Sequence, residues 1–162
     1  MQKQVFRGVT ASQRVLVQHW LSWRDVAGEP CPRRNQADPG SLRRFLAHLS
    51  ILELDGQGRA AFRLAGSRLR SLLGLEARGC FVDSLPAPLS EIWELGLDAA
   101  VERVEPVGGV ITRLDAPGRH AWLRMPLVDA AGRVSLILCH DEWVATVRPE
   151  TPVRLADAVA AA

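Results

Sequence analysis

The stretch RHAWLRMPLVDAAGRVSLILCHDEWV, residues 119–144, contains the pattern that decides the fold. Two runs of strand-forming residues, Arg119 to Val128 and Arg133 to Val144, flank the turn Asp129-Ala130-Ala131-Gly132. A connection of this length and composition is typical of an antiparallel β-hairpin. From Val134 to Cys139 both alternating sets of residues are apolar apart from Ser135. Because such a strand is covered on both faces, the sequence predicts it at the centre of the sheet.

Three more strands are predicted upstream of this hairpin. Leu49 to Leu54 and Arg59 to Ala65 flank the turn Asp55-Gly56-Gln57-Gly58, which is typical of a second hairpin. Pro106 to Leu114 joins Arg119 through another four-residue turn, Asp115 to Gly118. The sequence therefore predicts five strands in two antiparallel groups.

Helices are predicted before and between these strands. The first begins at Ser12, a good N-cap, and ends near Ala27 before Gly28. Its predicted buried stripe is apolar except for one histidine and consists of Val15, Leu16, His19, Trp20, Trp23, Val26 and Ala27. Short helices are predicted after Asp38-Pro39 and over Gly66 to Leu73, and one long amphipathic helix over Ala87 to Val104. Val17 and Leu21 lie off the stripe of the first helix, which leaves apolar surface for a partner.

The order of these elements predicts an α+β fold. A five-stranded antiparallel sheet carries helices over one face and the N-terminal helix over the other, which buries every apolar face at once. We expect an N-terminal helix over residues 1–27, the main domain over 28–148 and a flexible tail over 149–162.

Composition narrows the class of protein. The chain has 162 residues, 48% of them hydrophobic and 23% charged, as in one globular domain. A formal net charge of +2 gives no general attraction to nucleic acid or to anionic membranes. Neither a membrane-spanning run nor the apolar core of a signal peptide is present in the sequence, so we expect a cytoplasmic protein.

The sequence carries no strong signal for metal, phosphate or nucleophilic chemistry. Its three cysteines are far apart, and its glycine-rich turns lack the spacing of phosphate-binding loops. His140-Asp141-Glu142 is the most ligand-like cluster. In a strand, however, His140 and Asp141 point to opposite faces, which argues against a metal site.

A set of short motifs resembles a known family. Cys31-Pro32-Arg33, Asp38-Pro39, Leu42 with Leu46, and Phe62-Arg63-Leu64-Ala65-Gly66-Ser67 follow one another, and then come Gly74 and Gly79. This succession is similar to the P-x-R, D-P, L-x-x-L and F-R-x-x-G-T/S motifs of bacterial PAS-like proteins, and the resemblance covers about Trp20 to Trp143. Arg78-Gly79 stands where that family usually has Thr-Gly.

The resemblance implies a sheet with a helical cover and a small interior cavity, used for sensing or for protein contacts, without catalytic residues. From the residues present, we expect no cofactor. A haem-binding member would need a histidine in the Ala87 to Val104 helix, and a flavin photosensor would need a reactive cysteine in an Asn/Gln-lined pocket, which the surroundings of Cys80 do not provide.

Two sets of residues are candidates for binding. The cavity candidates are Phe62, Leu64, Leu72, Ile92, Trp93, Ile111, Leu123 and Met125, together with Leu52 and Leu136. They suggest an apolar ligand or simply a filled core. The dimer candidates are Val17, Trp20, Leu21, Trp23 and Trp122, with Trp122 as the receptor of the first helix's stripe.

We therefore expect a non-enzymatic sensory module. It binds a small apolar ligand or a partner protein, forms a homodimer, passes its output in trans and contacts neither nucleic acid nor membrane. The alternative is a small cone-shaped α+β enzyme or carrier with a substrate in its cavity, which would need an acid or a base inside that cavity.

Overall fold

The structure, a computed structural model, describes residues 4–74, 76–112 and 118–144. Five strands form one antiparallel sheet in the order β2-β1-β5-β4-β3. The strands are β1 (Leu49–Leu54), β2 (Ala60–Ala65), β3 (Val107–Thr112), β4 (Arg119–Val128) and β5 (Val134–Val144). The central position predicted for β5 is confirmed. The predicted tail, 149–162, and most of the predicted turn at 115–118 lie outside the described residues.

Two aspartates build the tight turns of the sheet in the same way. Oδ1 of Asp55 accepts hydrogen bonds from the backbone N–H groups of Gln57 and Arg59, both at 2.9 Å. Oδ1 of Asp129 accepts from Ala131 and Arg133 at 2.9 and 3.0 Å. Such side-chain bonds to the backbone are why aspartate favours turns, and they help set the pairing of β1 with β2 and of β4 with β5.

Helices cover both faces of the sheet. They are α1 (Ala11–Ala27), α2 (Pro39–Leu42), α3 (Ser67–Leu73), α4 (Leu89–Glu94) and α5 (Leu97–Arg103), with 3-10 helices at Arg34–Gln36, Arg43–His48 and Val82–Ser84. One core cluster joins α1 to residues such as Leu49, Leu123 and Leu138, and the other joins α3 and α4 to residues such as Leu52 and Ile137. The α+β class and the separate face for the first helix are thus confirmed.

The single helix predicted over residues 87–104 is instead two helices. α4 ends at Glu94, and α5 begins at Leu97 after Gly96, whose φ is +72°. Only glycine adopts this left-handed conformation without strain. The apolar periodicity continues through the break, which is why the pattern alone indicated one helix.

The first helix presents a different face to the core than its stripe suggested. Its buried residues are Gln13, Leu16, Val17, Trp20 and Trp23, whereas Val26 is 85% exposed and Leu21 is half-buried. The prediction that Val17 faces a partner is therefore wrong, because Val17 is fully buried in the core cluster. The Oε1 atom of the buried residue Gln13 accepts a hydrogen bond from the backbone N–H of Val9 at 3.1 Å, whereas its buried Nε2 has no partner among the described residues.

The predicted receptor of that stripe, Trp122, lies on the opposite face of the sheet. Leu123 and Met125 contact the α1 cluster, and Trp122 alternates with them along β4. Its ring lies between Gly96 and Gly109, where a Cβ at either glycine would meet it. The prediction that Trp122 packs under the first helix is therefore wrong, because the helix covers the Leu123 face.

Candidate functional site

The structure does not bring the eight predicted cavity residues together. Phe62, Ile92 and Trp93 share the cluster under α3 and α4, and Ile111 pairs with His120 on the same sheet face. Leu123 and Met125 belong instead to the α1 cluster. Leu64 and Leu72 are 38% and 42% exposed. Alternation along β4 sends Leu123 and Met125 to the face of α1. On β2, an irregularity in the pairing with β1 at Ile51 and Leu52 turns Leu64 away from the face of Phe62. Leu52 and Leu136, which were predicted together with these eight, are also separated. Leu52 lies in the cluster under α3 and α4, and Leu136 lies in the α1 cluster.

Large side chains occupy the space between the sheet and α4. Phe62 and Trp93 meet edge to face with ring centroids 5.7 Å apart, and each is no more than 1% exposed. The indole nitrogen of Trp93 donates to the Ser50 hydroxyl at 3.2 Å. Close packing of this kind is the ordinary state of a protein interior.

A buried polar cluster lies beside these rings, and the sequence did not predict it. Arg124 donates to both carboxylate oxygens of Asp141 at 3.1 Å, and Nε2 of His120 lies 2.8 Å from Asp141 Oδ1. The three side chains are at most 1% exposed. His120 also stacks on Trp143, with ring centroids 4.4 Å apart. A buried charge needs such partners, because desolvation would otherwise make it very costly.

The cluster ties the sheet to the break between α4 and α5. Arg124 also donates to the carbonyl of Ile92 at 2.9 Å and to that of Leu95 at 3.0 Å. Burial opposes the charge on Arg124, but the neighbouring Asp141 outweighs it and raises the guanidinium pKa. Burial likewise opposes the charge on Asp141, yet Arg124 and His120 hold its pKa below the usual range. The pair is therefore ionised, and its geometry is that of a structural clamp.

The other buried titratable groups are held in their neutral forms. Burial raises the pKa of the Cys31 and Cys139 thiols to about 12 and lowers the pKa of His140 to about 4. Thiols of this kind are poor nucleophiles at neutral pH. Within residues 4–74, 76–112 and 118–144, no group of three His, Cys, Asp or Glu is placed to hold a metal ion.

An open apolar groove lies on the sheet face that α1 covers, next to the connector between α1 and β1. Its volume is about 530 Å³. β1, β2, β4 and β5 form its floor, and α2 with the following 3-10 helix forms one wall. The apolar lining residues are Ala37, Pro39, Leu42, Leu46, Leu49, Ile51, Leu64, Leu127, Leu136 and Leu138. Leu46 and Leu64 are 41% and 38% exposed, so the groove presents aliphatic surface to the solvent.

Two arginines are the charged residues among those that line the groove. Its polar lining residues are Arg34, Asn35 and Arg63. Both arginines pair with one carboxylate, since Arg34 lies 3.3 Å from Glu53 Oε1 and Arg63 lies 3.3 Å from Glu53 Oε2. Of the sequence candidates, only Leu64 and Leu136 line this groove. The groove depends on how the connector folds back over the sheet, and periodicity does not reveal that.

This chain is similar to a protein family and to several solved structures. A family model described as a PAS domain matches residues 9–110. One similar structure is a light-oxygen-voltage domain with a flavin analogue, at 18% identity and TM-score 0.45, covering 66% of this chain and 84% of that one. Another is a PAS domain from Colwellia psychrerythraea, at 19% identity and TM-score 0.42, covering 67% and 98%. Among curated proteins no similar sequence was found.

No helix in the described part of the chain is long and apolar enough to cross a membrane.

Proposed function

Because the chain belongs to the PAS domain family, we propose that it is a non-enzymatic sensory module that binds a small apolar ligand and passes its output in trans to a partner protein. PAS domains are typically sensory or signalling modules, and the family is usually non-catalytic. The observation that carries the proposal is the open groove of about 530 Å³ with ten apolar lining residues. This volume is in the range of small-molecule sites.

The placement of the ligand differs from the sequence-based expectation. The predicted interior site is occupied by Phe62, Trp93 and the ionised clamp of Arg124 with Asp141. The groove lies on the other face of the sheet, beside α1 and β1. A ligand there would contact both the connector and the central strand, so its binding could alter the surface that a partner protein meets.

The composition of the groove also favours binding over catalysis. Its thirteen lining residues include no Asp, Glu, His or Cys. The alternative function, a small α+β enzyme or carrier, would need an acid or a base beside its substrate if it were an enzyme. Asp141 and His120 form a buried acid and base pair in the described part of the chain, but they are engaged with each other and Asp141 also with Arg124, under the helices.

Thermal unfolding with neutral apolar probes tests the proposal. Decan-1-ol, a neutral aliphatic probe, should raise the melting temperature by about 5 °C when present at about 100 times the dissociation constant. The double variant Leu46→Gln with Leu64→Gln should lose most of this shift. Val110→Gln is the matched control, because Val110 is 39% exposed on β3 and does not line the groove. If no apolar probe, neutral or charged, binds the intact chain, the ligand-binding function is wrong.

The homodimer remains a prediction, but the residues proposed for its contact surface change. Of the five dimer candidates, Val17 and Trp20 are fully buried and Trp23 nearly so, whereas Leu21 is half-buried. Val26 is the most exposed large apolar side chain on α1. Light scattering on the intact chain and on Val26→Glu measures the mass: a dimer that Val26→Glu dissociates supports a contact through the end of α1, and a monomer at all concentrations contradicts it.

A further inference from the structure

The groove also indicates the chemistry of its ligand. We propose that it binds an aliphatic chain with a single anionic head group, that is, a fatty carboxylate whose head lies on Arg34 and Arg63. This inference rests on the proposed ligand-binding function, and it adds the head group, the residues that hold it and the role of Glu53.

The lining favours a flexible aliphatic chain. Its apolar members are eight leucine or isoleucine residues from the sheet, α2 and the 3-10 helix after it, with Ala37 and Pro39, and none of the thirteen lining residues is aromatic. The groove has therefore no ring on which a planar ligand could stack. Each buried methylene should strengthen binding about fourfold, because burying apolar surface is the main source of affinity here.

The charges at the groove favour a monoanion. Arg34 and Arg63 carry two positive charges and share the one negative charge of Glu53, which leaves a formal charge of +1. The planar guanidinium fork matches a carboxylate. A dianionic head group would exceed the charge that the site leaves unneutralised, whereas a carboxylate would balance it.

The arginines keep donors that a ligand can use. Each guanidinium has five N–H donors, and each gives Glu53 a single hydrogen bond of 3.3 Å rather than a two-pronged pair. The described residues show no other hydrogen bond from either guanidinium. Their side chains are 36% and 53% exposed, so a head group can reach them without unfolding the connector.

Glu53 then acts as an internal competitor. Its side chain is 43% exposed and is the anion that the two arginines hold in the unliganded groove. A carboxylate ligand must share or displace these contacts. Removing the charge of Glu53 should therefore tighten the binding of an anionic ligand, while removing the charge of either arginine should weaken it. A residue with only a structural role would not produce opposite changes of this kind.

The test compares decanoate, decan-1-ol and decyl phosphate on the intact chain, with the two anions below the concentration at which they form micelles and the alcohol below its solubility limit. Calorimetric titration should show decanoate binding several-fold tighter than decan-1-ol, because charge-assisted hydrogen bonds are the stronger ones but those of exposed groups are screened by water, and also tighter than decyl phosphate. Arg63→Gln and Arg34→Gln should each weaken decanoate binding several-fold without changing decan-1-ol binding, and Glu53→Gln should strengthen it. Arg70→Gln, on α3, is the matched control and should change nothing.

The outcomes separate the two claims. Equal affinity for decanoate and decan-1-ol, or unchanged decanoate binding in Arg63→Gln and Arg34→Gln, overturns the head-group assignment and leaves an apolar-ligand site. If decyl phosphate binds more tightly than decanoate, the proposal that the head group carries a single negative charge is wrong. Binding of none of the probes overturns both claims and would point to a protein segment as the occupant. Circular dichroism of each variant verifies folding, and amide shifts on decanoate addition should concentrate at Leu46, Leu64 and Leu136.

Discussion

The indole nitrogen of Trp20 donates a hydrogen bond of 2.8 Å to the backbone carbonyl of Pro126, 106 positions further along the chain. Trp20 is 1% exposed in the centre of α1, and Pro126 lies on β4 next to the central strand. The Cys31 thiol lies 3.3 Å from the same carbonyl. This contact fixes the rotation of α1 on the sheet, because a buried indole N–H must find an acceptor.

Two substitutions that shorten the Trp20 side chain should therefore lower the stability by different amounts. Trp20→Phe removes the hydrogen bond and part of the ring and should lower the free energy of unfolding by about 1–2 kcal/mol. Trp20→Ala leaves a cavity and should lower it by about 3–5 kcal/mol. Urea unfolding followed by circular dichroism measures both. A Trp20→Phe variant that is as stable as the unaltered protein would mean that the hydrogen bond contributes nothing, and equal losses in the two variants would mean that the cavity adds no cost.

Removing the charge of Asp141 should be far more costly than removing that of Glu53. Asp141→Asn leaves the fully buried Arg124 without its counter-charge, and loss of a buried partner costs about 3–5 kcal/mol. Glu53→Gln breaks two exposed ion pairs and should cost about 1 kcal/mol or less. Chemical unfolding of the two variants at neutral pH makes the comparison, and similar losses would contradict the clamp.

Substituting Gly96 should disturb the fold more than substituting Gly74. Both have positive φ, +72° and +67°, so alanine meets comparable backbone strain of about 1 kcal/mol at each. A Cβ at Gly96 would in addition press on the Trp122 ring, whereas a Cβ at Gly74 has no atom within 4 Å. Melting temperatures should fall clearly further for Gly96→Ala, and near-ultraviolet circular dichroism should report the displaced tryptophan. Equal shifts would show that the ring yields without cost.

Stability should decline as the pH falls from about 6.5 to about 4. Burial lowers the folded-state pKa of His140 to about 4, against 6.5 for an exposed histidine. Between these values the unfolded chain binds a proton that the folded chain excludes, so acid favours unfolding by about 3 kcal/mol across the window. Asp141, whose pKa lies below its usual range, adds a loss only at lower pH.

The variant His140→Leu tests whether His140 causes this pH dependence. It should flatten the dependence between pH 6.5 and 4 in urea unfolding, whereas His19→Asn, at a half-buried position on α1, should retain it. An unchanged slope in His140→Leu would assign the effect to another group.

The sequence predicted the sheet better than it predicted the faces of its elements. The doubly apolar run of β5 fixed the central position because only a covered strand tolerates it. Alternation on β4 correctly placed Trp122 and Leu123 on opposite faces of the sheet, but it did not indicate which of the two faces α1 covers. The arc assigned to α1 included Val26 and left out Val17, since several apolar positions surround that helix and its rotation depends on contacts such as the one between Trp20 and Pro126.

The polar clamp and the groove could not be found from local patterns. His140-Asp141-Glu142 drew attention as a group, but Asp141 acts with Arg124 and His120 of the neighbouring strand. Only the register of β4 with β5 brings them together. The groove likewise requires the positions of Arg34 and Arg63, which are distant in sequence and meet through Glu53.

The central strand is also the one of the five that leaves the ribosome last. Until residues 134–144 are synthesised, β1 and β4 each present an open edge of backbone donors and acceptors, because β5 is the strand that joins them. Pairing that spans such a large sequence separation makes folding slow, and open edges invite pairing with other chains. Nascent chains paused before residue 134 should therefore depend on chaperones, and the domain should acquire its protease resistance in one step once β5 is free.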